Sequence, residues 1–154
     1  MKTKTLFQFL FFAISFYGFG AGMMDSFVIY HGWKFVGVAE FPRVHEEMGN
    51  RIVPFLVVPT LLMTILTVMM FWKRPLNIPK SWIALAFFFE LVSWISSVVI
   101  QIPIQFSLHF KDEAALHRLL VTDWIRIAAW FGYITMVSRM LITILKRHNE
   151  IKIA

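Results

Sequence analysis

The sequence predicts an all-α bundle of four transmembrane helices, and three observations lead there. Of the 154 residues, 58% are hydrophobic, with 17 Phe and 9 Met, which is more apolar surface than a water-soluble fold of this size can hide. Four runs, about 6–30, 52–72, 82–104 and 124–145, reach the roughly 20 apolar residues needed to cross a hydrocarbon core of about 30 Å. The runs are continuous rather than alternating, which argues against a β-barrel. Backbone N–H and C=O groups in lipid must then be satisfied within each segment, as helix.

The first run starts behind Lys2 and Lys4 and imitates a secretory signal, with small residues in Gly18-Phe-Gly-Ala-Gly22. Its apolar pattern continues past them for longer than a signal core requires, so it is read as a retained span. Gly18 and Gly22 form a small-xxx-small pair suited to close helix packing and to a homo-oligomer. The same pair is no phosphate loop, because it lies inside an apolar run rather than at a strand-to-helix turn.

The second and third runs are joined through Lys73, Arg74, Pro75, Pro79 and Lys80, bracketed by Trp72 and Trp82. The prolines forbid helix there, so these two spans are expected to be antiparallel neighbours. The fourth run opens at Thr122 or Asp123, either of which suits an N-cap. Lys2, Lys4, the 73–80 connection, Lys146, Arg147 and Lys152 all flank spans. By the positive-inside rule this puts both termini in the cytoplasm, as in a bacterial inner membrane, with the two longer connections facing outward. Those connections, 31–51 and 106–121, mix charged and apolar residues and are expected to lie along the membrane surface. With no linker, repeat or long extramembrane segment, the chain reads as a single domain over 1–154.

Several functions are argued against. The net charge of +6 sits beside the spans rather than on a basic face, so no nucleic-acid partner is expected. The absence of cysteine removes disulfides, thiolate metal sites and cysteine nucleophiles. None of the five histidines falls in mid-span, which disfavours a haem clamped between helices. His45, His109 and His117 all fall in the outward connections and are the candidate metal ligands, without a recognisable spacing signature. The sequence identifies no cofactor.

Polar groups inside spans are costly and therefore mark candidate sites. Glu90, Ser93, Ser97, Gln101 and Gln105 recur at steps of three and four and share one face of the third span. The serines and glutamines of such a stripe serve equally well as hydrogen-bonding glue between helices. Glu90 is harder to explain that way, since a mid-membrane carboxylate must be neutral, paired or watered. Arg126 follows Asp123 by three residues, so the two can pair on one helix face, or the guanidinium can snorkel to headgroups. Arg139, near the other end of the span, reads as a snorkelling residue. Trp124 and Trp130 read as belt and packing residues.

Val36-Gly37, Phe41, His45, Arg51-Ile52, Gln101-Ile-Pro103-Ile-Gln105 with Leu108, His117-Arg118-Leu119, Thr122-Asp123-Trp124-Ile125-Arg126 and Trp130 resemble, in order, a largely uncharacterised family of small four-helix bacterial membrane proteins. More loosely, the Gln-Ile-Pro-Ile-Gln and Asp-Trp-Ile-Arg pieces are similar to motifs of the DUF1772, or anthrone oxygenase-like, proteins. The resemblance implies that His45, Gln101, Gln105, Asp123, Trp124 and Arg126 line one outward pocket. The chain departs from the family pattern at Thr64, where an acidic residue is common, and at Asp123, where Asn is common. The looser resemblance implies oxidation of polycyclic phenolic substrates without an obvious cofactor.

Three readings follow. In the first, a membrane enzyme of oxidoreductase or oxygenase-like kind takes a hydrophobic small molecule into an outward pocket. His45, Asp123 and Arg126 would be catalytic there, while Gln101, Gln105, Trp124 and Glu90 bind substrate. In the second, a non-catalytic membrane component binds a lipid or a partner helix through the polar stripe. The third, a small proton-coupled transporter built on Glu90, ranks last because that carboxylate lies in the third span rather than the first.

Overall fold

A computed structural model describes residues 3–108 and 110–153, with side chains over 4–108 and 110–147. Four long helices build it: α1, Lys4–Phe35; α2, Phe41–Lys73; α3, Lys80–Ser107; and α4, Glu113–Ile153. No strand occurs among the described residues. Each helix runs for at least 28 residues, about 42 Å at about 1.5 Å per residue, and so exceeds a hydrocarbon core of about 30 Å. Large apolar side chains such as Phe9, Phe55, Phe88, Val99 and Trp124 cover the outside of the bundle, the surface that a bilayer solvates. The chain is an integral membrane four-helix bundle.

At one end the hairpin between α2 and α3 forms where the prolines require it. Arg74 and Pro79 adopt extended backbone, Arg74 Nη1 donates to the Ile78 carbonyl at 2.6 Å, and the Ile78 side chain is fully buried. Arg139 is exposed as expected, and its guanidinium also lies 5.0 Å from the Trp82 ring centre.

The opposite end differs from the sequence expectation. The two longer connections do not form separate surface helices: α2 already begins at Phe41, and α4 at Glu113. Some of the apolar residues of these segments pack within the chain, while Phe35, Val38, Phe106 and Phe110 stay exposed. Phe41, Leu116 and Leu119 are buried with Tyr30, Trp33, Ile104 and Leu108, which makes them first turns of the long helices rather than membrane-surface anchors. The N-cap of α4 is accordingly Asp112, whose Oδ1 accepts from the N–H groups of Ala114 and Ala115 at 2.9 and 3.2 Å. Thr122 and Asp123 lie well inside that helix.

Three helices change hydrogen-bond pitch at one level of the bundle. Five-residue π-helical turns occupy Asp25–Ile29 in α1, Val53–Val57 in α2 and Ser97–Gln101 in α3. In α2 and α3 the turn ends two residues before a proline, Pro59 and Pro103, whose missing N–H interrupts the α-helical ladder. In α1 no proline accounts for it; the Tyr30 N–H reaches back to the Asp25 carbonyl.

The core divides into two apolar clusters. The larger joins α1, α2, α3 and α4 through residues such as Phe11, Met63, Met70, Ile83, Tyr133 and Met140. The smaller sits at the end away from the hairpin, around Tyr30, Trp33, Phe41 and Leu119. The π-turns fall between them.

Candidate functional site

Between the two clusters lies a cavity of about 130 Å³, walled by Asp25, Tyr30, Ser93, Trp94, Ser97, Gln101, Gln105, Arg126 and Trp130 together with the apolar side chains of Ile52, Leu56, Val57 and Ile102. All three π-turns contribute wall residues: Asp25 from the first, Leu56 and Val57 from the second, Ser97 and Gln101 from the third. A π-turn rotates the side chains beyond it relative to an α-helix, and such turns recur at functional sites.

The electrostatic centre of the site is Arg126. Its Nε donates to Asp123 Oδ1 at 2.8 Å and its Nη2 to Asp25 Oδ2 at 2.8 Å, with Ser26 Oγ at 3.4 Å. Asp25 and Asp123 are each only 2% exposed and Arg126 7%, so solvent screens the cluster far less than it would a surface pair. The guanidinium also lies 5.2 Å from the Tyr30 ring centre. Arg126 is thus an ion-pair partner shared by two carboxylates: it pairs with Asp123 as their three-residue spacing allows, and does not match the headgroup-seeking anchor. With both acids ionised, two carboxylates against one guanidinium would leave one negative charge in excess. Asp25 Oδ1 is buried and completes no hydrogen bond. The Tyr30 hydroxyl lies within reach of that carboxylate and accepts a short hydrogen bond from Gln105 Nε2.

The polar stripe of α3 faces inward along its length. Gln101 is buried, accepting from Ser96 Oγ at 3.1 Å and donating to the Thr122 carbonyl at 3.3 Å. Ser93, Ser97, Gln101 and Gln105 border the main cavity, whereas Glu90 borders a second void of about 10 Å³, roughly the space of one water. Thr60, Ser93, Trp94 and Trp130 are common to both walls. Glu90 is 2% exposed; Thr64 Oγ1 approaches its Oε1 at 3.5 Å while Oε2 has no partner. Below it, the Tyr133 hydroxyl bonds to Ser15 at 2.7 Å and to Thr67 at 3.2 Å, linking α1, α2 and α4.

The other sequence candidates lie elsewhere. His45 is half-buried, its ring 4.9 Å from that of Trp33 and stacked on Phe41 at 5.6 Å. It lines a wider surface cleft with Trp33, Glu46, Asn50 and Phe106 rather than the buried cavity. Ile52 and Gln105 belong to both linings, so the cleft lies against the cavity. Trp124 is 60% exposed and packs edge-on against Phe27, outside the cavity; Trp130, about two turns after Asp123 and about one turn after Arg126, lines it instead. His117 is exposed, and His109 falls outside the described residues. Among the described residues no three His, Cys, Asp or Glu side chains gather as a metal site.

Gly18 and Gly22 are buried within the same chain, Gly18 between α2 and α4 and Gly22 against α4. A Cβ on Gly22 would lie 3.0 Å from the Trp130 indole, and one on Gly18 3.1 Å from Met63 Sδ. The pair admits the cavity-lining indole and leaves no open glycine face for a second copy.

Asp25 is the principal residue that sequence reasoning passed over. It stands inside the first span, so it answers to the same rule that singled out Glu90, and it supplies the first-span carboxylate whose absence counted against transport. Tyr30, at the end of the same span, was likewise missed.

No family model, curated protein or solved structure matches the chain. What fold and site define is a class: a four-helix integral membrane protein with a charged, ligand-sized cavity inside its bundle.

Proposed function

We propose that this protein takes a small hydrophobic molecule into the Arg126 cavity and acts on it as a membrane enzyme, of the oxidoreductase or oxygenase-like kind that its resemblance implies. The observation that carries this reading is the convergence of three π-turns on a cavity whose wall holds a buried carboxylate oxygen without a partner. A bundle built only for rigidity gains nothing from an unsatisfied acceptor in its interior, whereas a substrate donor would satisfy it. Asp25 is the proton acceptor in this scheme. Arg126 and Asp123 fix its orientation, and Gln105, Gln101 and Tyr30 supply further hydrogen bonds. His45 serves the mouth of the site rather than its chemistry.

The basic hairpin residues Lys73, Arg74 and Lys80 support a reading, by the positive-inside rule, in which that end faces the cytoplasm. In that reading both termini share that side, and the cavity lies toward the outer face of a bacterial cytoplasmic membrane.

One observation favours a second, non-catalytic reading: Gln101 and Ser96 are mutually satisfied within the chain, as interhelical glue would be. Purification in mild detergent, with mass spectrometry of co-purified small molecules, separates the two when wild type is compared with Ser97→Phe, which fills the cavity. A hydrophobic molecule present in the wild type and lost in the variant supports a ligand site; identical, empty preparations favour the structural role.

A further inference from the structure

We infer that the cavity selects a lipophilic ammonium ion of about single-ring size, and that it rejects anions despite the arginine in its wall. The inference rests on the reading of the cavity as a ligand site and adds the ligand's charge.

A buried arginine suggests a trap for carboxylate or phosphate, but here its charge is already claimed. Nε and Nη2 each hold an aspartate at 2.8 Å, and with both acids ionised the cluster carries one net negative charge. An anion entering the cavity would meet that excess, which a low-dielectric interior screens poorly. A cation would neutralise it, and the place for its N–H is defined. Asp25 is 2% exposed, forms part of the cavity wall, and keeps Oδ1 without a hydrogen bond. The indoles of Trp94 and Trp130 line the same space and supply aromatic surface for a cation and for the apolar body attached to it. A volume of about 130 Å³ is close to the roughly 150 Å³ that accommodates one benzene ring in an engineered protein cavity. Most of the remaining wall is hydrocarbon, from Ile52, Leu56, Val57 and Ile102. The ligand is therefore a small ring or short branched chain bearing one protonated nitrogen.

The test uses the full-length protein in lipid nanodiscs and four probes matched in size: benzylamine, benzyl alcohol, benzoate and toluene. Saturable binding is followed by saturation-transfer NMR, with empty nanodiscs subtracting partition into lipid. Benzylamine is expected to bind at least about tenfold more tightly than benzyl alcohol, the span of one charge-assisted hydrogen bond, and benzoate not at all. In Asp25→Asn the amine should lose its advantage over benzyl alcohol. Benzyl alcohol or toluene binding as well as the amine, or benzoate binding at all, overturns the charge preference and leaves the cavity reading standing. Saturable binding of none of the four overturns both. The wild-type comparison alone decides the preference if Asp25→Asn fails to fold.

Discussion

Replacing Arg126 with Met removes the guanidinium and leaves two carboxylates facing each other in the bundle interior. The structure sets the scale of the damage. Both contacts are 2.8 Å, and the side chains are 8%, 3% and 2% exposed for Arg126, Asp25 and Asp123, so bulk solvent compensates little when the partner is lost. Breaking such a buried pair from one side costs about 3–5 kcal/mol, chiefly the penalty of an uncompensated charge. Arg51 and Glu47 provide an internal control. Their contact is equally short at 2.7 Å, but the side chains are 69% and 59% exposed. Arg51→Met should cost under about 1 kcal/mol, because water and salt screen the pair and its geometry must be held against side-chain entropy. The assay is reversible unfolding of the full-length protein in mixed micelles, followed by far-UV circular dichroism. Adding Asp25→Asn and Asp123→Asn to Arg126→Met should recover most of the loss, to within about 1–2 kcal/mol of wild type, since uncharged groups of similar volume replace the whole cluster. An Arg126→Met cost no larger than that of Arg51→Met would refute the reasoning, as would a triple variant less stable than the single one.

Gly132→Ala should destabilise the α3–α4 contact by about 1–3 kcal/mol, because the new Cβ would fall 2.6 Å from ring atoms of Phe89; Phe89→Leu in the same chain should relieve it, read by the same unfolding titration. Tyr133→Phe should cost about 0.5–1.5 kcal/mol by removing the hydroxyl that joins Ser15 and Thr67. His45→Ala should leave occupancy of the Arg126 cavity by any co-purified ligand within about twofold, roughly 0.4 kcal/mol, since its ring packs on Trp33 and Phe41 outside that cavity; quantitative mass spectrometry of the bound ligand checks this.

The spans and the hairpin were legible because each follows from a local rule: run length for the spans, and Pro75 and Pro79 for the turn. The inward face of α3 was legible for the same reason, as Glu90, Ser93, Ser97, Gln101 and Gln105 repeat at helical spacing. The extents of α2 and α4 were not, because what converts their first turns from surface segments into bundle helices is contact with Trp33, Ile104 and Leu108 far along the chain. Asp25 was hidden for two reasons. Twenty-odd apolar neighbours dominate the average hydropathy of its span, and its partner Arg126 lies 101 residues away. The choice between Trp124 and Trp130 was within reach of the sequence alone. Trp130 is four residues after Arg126 and shares its face, whereas Trp124 does not.

The pair of side chains that most directly tests an intramembrane cavity is Ser97 and its neighbour Val98. Ser97 lines the cavity, while Val98 is 55% exposed on the outside of α3, where lipid surrounds it. The chain contains no cysteine, so a single introduced thiol has no background. Cysteine is placed at each position in turn, and a small hydrophilic thiol reagent is applied to both faces of native membrane fragments. We predict that the thiol of Ser97→Cys is modified and that of Val98→Cys is protected; equal reactivity at the two positions, or an inert thiol at position 97, would contradict a water-reachable cavity inside the bundle.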